Sequence, residues 1–76
     1  MDLLHAKAEF EAGRLSEVFV EPSTEGGGWL LLHSVDETAA VLCDHSGRER
    51  LFHSPDHATE DGLEIGFSSV RVEEHF

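Results

Sequence analysis

The chain has 76 residues, a length that allows one hydrophobic core, so we expect a single domain spanning residues 1–76. Its 16 Asp and Glu outnumber 5 Lys and Arg, which gives a formal net charge of −11. Direct binding to nucleic acid or to an anionic membrane needs a basic footprint that this composition lacks, so the charge favours a basic protein partner. The alternative is that the excess charge only maintains solubility.

Cys43 is the only cysteine, which excludes an intrachain disulfide and a zinc site built from cysteines. The first residues lack the basic and apolar regions of a signal peptide. The longest apolar run, Trp29 to Leu32, is too short to span a bilayer. We therefore expect a cytoplasmic protein in a reducing compartment.

A short amphipathic helix is predicted at the beginning of the chain. Asp2 is a residue type that caps helices, and Gly13 can end the helix in a left-handed turn. Between them, Leu3, Ala6 and Phe10 recur at helical spacing and form an apolar face.

Period-two alternation then predicts four strands, at Ser16 to Glu21, Trp29 to Ser34, Thr38 to Cys43 and Arg48 to His53. The second strand is apolar on both faces, so we expect it in the centre of the sheet. In the third strand Cys43 is expected to face the core and to be inert. Asp44 to Gly47 has the residue order of a type I turn.

A second helix is predicted from Ser54, an N-cap residue followed by proline, to Gly66. Its buried face would carry small or apolar residues at Ala58, Gly62 and Ile65. A last strand follows from Ser69 to about Glu74. The order α-β-β-β-β-α-β predicts the α+β class, with about four or five strands in one twisted antiparallel sheet and two helices on one face.

The motifs that resemble chemical sites have simpler explanations. Asp44, His45 and Ser46 are neighbours in a tight turn and cannot converge on one substrate atom. The glycines at 26–28 precede a strand without the lysine of a phosphate loop. The six histidines are scattered over different elements, and we expect them at the surface without a metal. We therefore expect no catalytic residue and no cofactor, and the chain is predicted not to be an enzyme.

What remains is a surface rich in carboxylates. The candidate partner-binding residues are Glu17, Glu21, Asp56, Glu60, Asp61, Glu64, Glu73 and Glu74. If the first and last strands are neighbours, two of the acidic groups merge into one negative patch, which could imitate a nucleic-acid backbone toward a basic groove. The alternative is a solvated acidic face.

Four features in succession resemble small bacterial proteins encoded on plasmids and integrated elements. These are Gly-Gly-Trp-Leu-Leu-Leu at 27–32, Asp-His-Ser-Gly-Arg at 44–48, Ser-Pro-Asp-His-Ala at 54–58 and a valine-rich last strand. Gly62 departs from the larger apolar residue expected there. The resemblance implies an accessory protein with a partition or replication label. Such elements also encode small acidic inhibitors, including anti-CRISPR proteins, whose net charge is similar.

Two functional hypotheses follow. In the first, a non-catalytic acidic module docks on a basic protein surface and, as an inhibitor, occupies a site that normally holds DNA or RNA. In the second, the chain is a structural or assembly protein that acts through homodimerisation or edge-strand pairing, and its charge serves only solubility.

Overall fold

The computed structural model describes residues 1–23, 27–35 and 38–73 and contains two helices and one four-stranded sheet. Along the chain the elements are α1 (Leu3–Glu11), β1 (Glu17–Pro22), β2 (Trp29–Val35), β3 (Thr38–Val41), α2 (Pro55–Ile65) and β4 (Arg71–Val72). This composition confirms the predicted α+β class. Glu74 and the first of the glycines at 26–28 lie outside the described residues.

Both helices begin at the predicted caps. The carboxylate of Asp2 accepts the backbone N–H of His5 at 2.9 Å, and the hydroxyl of Ser54 accepts the N–H of His57 at 3.3 Å. Each such bond satisfies a donor that the first helical turn leaves free, and is worth about 1 kcal/mol. At the other end of α2, Gly66 has φ of 137°, a conformation that L side chains rarely adopt.

The sheet has the strand order β3-β2-β1-β4, so the predicted central position of β2 is confirmed. β2 is antiparallel to β1 and to β3, whereas β1 and β4 are parallel, with Val20 opposite Val72. The expectation of a purely antiparallel sheet is therefore wrong at one pair. The physical reason is that α2 carries the chain back across the sheet, and a helical crossover lets the next strand run parallel.

The core lies between the sheet and the two helices. Val18 and Val20 of β1 and Leu31 of β2 point toward α2, and they are buried together with Ala6 of α1. α1 packs against α2, and its Ala6 belongs to the same core cluster as Val20 and Leu31. The other face of β2 carries Leu30 and Leu32, which are each 9% exposed and lie outside this core cluster.

The predicted strand from Arg48 to His53 is wrong. This segment makes only two isolated bridges, Cys43 with Glu49 and Trp29 with Phe52. It crosses from the end of β3 to the beginning of β2, so it meets a neighbouring strand at two points and forms no ladder. Phe52 is 7% exposed, whereas Leu51 is 54% exposed, so only one of its two apolar side chains joins the core.

Two other strands are shorter than predicted. β3 ends at Val41, and the side chain that reaches the core beyond it is Leu42, which is fully buried, while Cys43 is half-buried. The expectation that Cys43 faces the core is wrong because Leu42 is opposite Leu31 and shares its face. β4 contains only Arg71–Val72 of the predicted Ser69 to Glu74.

The predicted turn at Asp44 to Gly47 is confirmed. The carboxylate of Asp44 accepts the N–H and the hydroxyl of Ser46, at 2.8 and 2.6 Å, and the N–H of Arg48 at 3.2 Å. These bonds hold the pKa of Asp44 below its usual value. The three polar groups thus close a turn, as an aspartate at this position commonly does.

Helix α2 approaches the sheet closely at Gly62, as its small size predicted. A Cβ atom at this position would lie 2.6 Å from Cγ2 of Val70 and 3.6 Å from Cδ1 of Leu31. The first distance is too short for two carbon atoms, so a side chain here would force Val70 or the helix to move.

We expect Gly62→Ala to destabilise the protein, because overpacking costs about 1–3 kcal/mol and outweighs the gain in helix propensity of about 1 kcal/mol. In a Val70→Ala background the clash is removed, so the same substitution should stabilise. Urea unfolding of the four proteins in this double-mutant cycle measures both effects. A stabilising Gly62→Ala in the parent protein would contradict the close approach.

Candidate partner-binding surface

The acidic residues of β1 lie on the sheet face that the helices leave open. Because side chains alternate along a strand, Val18 and Val20 point toward α2, and Glu17 and Glu21 point away from it. Glu73 follows Val72, which is opposite Val20, and is therefore directed to the same open face as Glu17. The first and last strands are neighbours, and their carboxylates share one face.

A single arginine joins two of these carboxylates. The guanidinium of Arg71 lies 2.6 Å from a carboxylate oxygen of Glu17 and 2.8 Å from one of Glu73, and its Cζ is 5.4 Å from the centre of the Phe19 ring. Arg71 therefore offsets much of the charge of both acids. Glu21 makes no ion pair with any residue that the structure describes.

Helix α2 carries the other acidic group and contains no Lys or Arg. Asp56, Glu60 and Glu64 are exposed, and Glu64 pairs with Lys7 of α1 at 3.3 Å. Within the described part of the chain, Asp56 and Glu60 have no ion pair. They are four residues apart and lie on the same side of the helix, so they form an uncompensated acidic pair.

Asp61 differs from its neighbours because it is largely buried. Its side chain is 15% exposed, and its Oδ2 lies 3.3 Å from Nη1 of Arg50 without the geometry of a hydrogen bond. Burial raises the pKa of this carboxyl, and the attraction of Arg50 only partly opposes the effect. Asp61 is therefore the least accessible of the four α2 acids to a partner.

The predicted site residues thus fall on two opposite surfaces. The acids of α2 lie on the helical side of the molecule, and Glu17, Glu21 and Glu73 lie on the open sheet face. The first and last strands are neighbours, as the predicted merging of two acidic groups requires. The acids that they bring together, however, surround Arg71. Glu74 lies outside the described residues.

Most of the Lys and Arg side chains already form ion pairs with carboxylates of the same chain. Of the five basic residues in the sequence, four make ion pairs: Lys7 with Glu64, Arg14 with Glu9, Arg50 with Asp61, and Arg71 with Glu17 and Glu73. The bond from Arg14 holds the pKa of Glu9 below its usual value. The carboxylates left without a cation, including Asp56 and Glu60, therefore determine what a partner meets.

An open depression with a volume of about 280 Å³ lies between α2 and the segment before it. Arg50, Phe52, His57, Glu60 and Asp61 are among the residues that line it. The acidic side of α2 is therefore bordered by a depression that charged and apolar side chains line together.

His33 was expected at the surface, but it is buried. Its side chain is 2% exposed, between Val18 and Ala40 of the neighbouring strands, and neither ring nitrogen has a hydrogen-bond partner among the residues that the structure describes. Burial lowers the pKa of this imidazole, and the nearby amino terminus lowers it further. Its position on the same face as Leu31 was the available signal.

The described residues hold no group of three or more His, Cys, Asp or Glu side chains that could bind a metal ion. Neither helix that the structure describes is long and apolar enough to cross a membrane. Comparisons with protein families, curated proteins and solved structures found no match to this chain. The resemblance to proteins of mobile elements therefore stays a prediction.

We expect stability to fall as pH falls below about 6.5, because the unfolded state then binds a proton at His33 that the buried imidazole resists. The contribution is fully present above the unfolded pKa and declines down to the lower folded pKa, with a slope of at most about 1.4 kcal/mol per pH unit. Urea unfolding between pH 8 and pH 5, in about half-unit steps, measures this slope.

His33→Leu should flatten this part of the profile, because leucine does not titrate. His5→Leu, at an exposed position of α1, is the matched control and should keep the slope of the parent protein. An unchanged slope in His33→Leu would show that other groups cause the acid sensitivity.

Proposed function

We propose that the protein is a non-catalytic binding module that docks on a basic protein surface through the exposed carboxylates of α2. The observation that carries this proposal is the charge pattern of α2. The helix contains no Lys or Arg, and its exposed Asp56 and Glu60 have no ion pair with any residue that the structure describes. A basic partner would supply the missing counter-charge.

The open sheet face supports this role less well. Glu17 and Glu73 already share Arg71, and a partner would have to displace that cation before gaining their charge. Among the acids of the two surfaces, Asp56 and Glu60 are therefore the residues that we assign to the contact, and Glu64 contributes at its edge.

Surfaces that bind nucleic acid are the most strongly basic surfaces in cells, since they must neutralise phosphates. An acidic module that occupies such a surface competes with DNA or RNA by charge and by bulk. In this form the protein is an inhibitor that imitates a nucleic-acid backbone, in keeping with the resemblance to accessory proteins of mobile elements. Its unpaired Cys43 fits residence in the reducing cytoplasm.

Binding of this kind should weaken steeply with salt, because screening acts on exposed charges within a Debye length of about 8 Å at physiological ionic strength. The immobilised chain should retain proteins from cells of its source at low salt and release them in a salt gradient. Duplex DNA or RNA added to the column should displace a partner that normally binds nucleic acid.

Asp56→Lys with Glu60→Lys should lower the affinity of the captured protein about tenfold or more at low salt. The matched control is Glu11→Lys with Glu49→Lys, which makes the same change in net charge at exposed positions outside α2. Isothermal titration of the purified pair compares them. Equal losses in the two variants, or binding that salt does not change, would contradict docking through α2.

A further inference from the structure

Strand β3 lies at one edge of the sheet, and its outward backbone groups can be identified from the ladder. The N–H of Leu42 donates to the carbonyl of Leu31 at 2.7 Å, and partners in an antiparallel ladder bond at every second residue. Thr38 and Ala40 therefore direct their backbone groups to β2, and Ala39 and Val41 direct theirs outward.

The next outward backbone group along the chain confirms this alternation. The N–H of Cys43 points away from β2 and donates to the carbonyl of Met1 at 2.8 Å. The N-terminal residue thus occupies the edge beside Cys43. The stretch from Thr38 to Val41 has no such neighbour among the residues that the structure describes.

The side chains of this edge lack the features by which proteins prevent strand pairing. Thr38, Ala39 and Ala40 are exposed and uncharged, and β3 contains no proline, lysine or glycine. The opposite edge, β4, is only two residues long and is charged through Arg71. Of the two edges, β3 is therefore better suited than β4 to the edge-strand pairing of the second hypothesis.

We propose that two copies of the chain pair through antiparallel β3 strands about a two-fold axis at Ala40. In this register the N–H of Ala39 donates to the carbonyl of Val41 in the second copy, and the N–H of Val41 donates to the carbonyl of Ala39. Both outward residues of β3 are satisfied, and the two four-stranded sheets become one continuous sheet.

A second copy of the chain is suited to this edge because the side chains of β3 are uncharged and small. Two copies that each carry −11 repel one another, and a contact through the uncharged Thr38–Val41 adds no further repulsion between side chains. Ala40 faces its own copy at the axis, where opposite Cα atoms approach to about 4.5 Å and a small side chain fits. The acids of α2 take no part, so the dimer does not depend on the proposed function.

Sedimentation equilibrium of the full chain tests the dimer. We expect the average mass to rise from one chain toward two with concentration, up to about 1 mM, and to rise further with salt, because screening weakens repulsion between the copies. This salt response is opposite to that of docking on a basic partner, so the two proposals can fail separately. A mass of one chain throughout the concentration range at high salt would overturn the dimer.

Two variants locate the contact. Ala39→Pro removes an outward donor and leaves the bonds to β2 intact, and Ala40→Glu places like charges opposite each other at the axis. Both should remain monomeric, whereas Ser69→Glu, an exposed position near β4 with the same charge change, should dimerise like the parent. Dimers of Ala40→Glu as tight as those of the parent would overturn the assignment to β3.

Amide hydrogen exchange of the parent protein gives a result that does not depend on how the variants fold. Exchange at Ala39 and Val41 should slow as concentration rises, because these N–H groups become bonded to the second copy. Exchange at Glu21, on β1, should not change. If Ala39 and Val41 exchange equally fast at low and high concentration, the proposed ladder does not form.

Discussion

The arrangement of the molecule depends on how closely α2 lies on β1 and β2. At Gly62 the helix lies against Leu31 of β2 and against Val70, the residue before β4, and a Cβ atom there would be 3.6 Å from the first side chain and 2.6 Å from the second. The contact makes one face of the two central strands the core, with Val20 and Leu31 fully buried. Alternation then places the acids of β1 on the opposite face, so the packing of one helix decides which carboxylates can act together.

The local features of the fold could be predicted because they depend on neighbours in sequence. Asp2 and Ser54 cap the helices, and the apolar run of β2 indicated its central position. The errors arose where pairing depends on distant parts of the chain. Nothing in the alternation from Arg48 to His53 shows that the segment crosses between strands, and the direction of β4 is set by α2.

The sequence identifies the acidic residues of the candidate site, but it does not show which of them share a surface. The sequence counts carboxylates, whereas their effective charge depends on ion pairs such as Arg71 with Glu17, which only the sheet pairing creates. The burial of Asp61 and His33 is likewise a result of packing. Two differently compensated acidic surfaces and one uncharged edge therefore replace the single patch expected from composition.

The packing of α2 on the Leu31 face of β2 separates the acids into two surfaces, and nuclear Overhauser effects test it most directly. The Hα protons of Gly62 should show contacts to the δ-methyl protons of Leu31 and the γ-methyl protons of Val70, whose carbons lie 3.6 and 2.6 Å from a Cβ placed at Gly62. Contacts from Gly62 to the methyl groups of Leu30 or Leu32 instead would mean that the other face is buried, and would contradict the account.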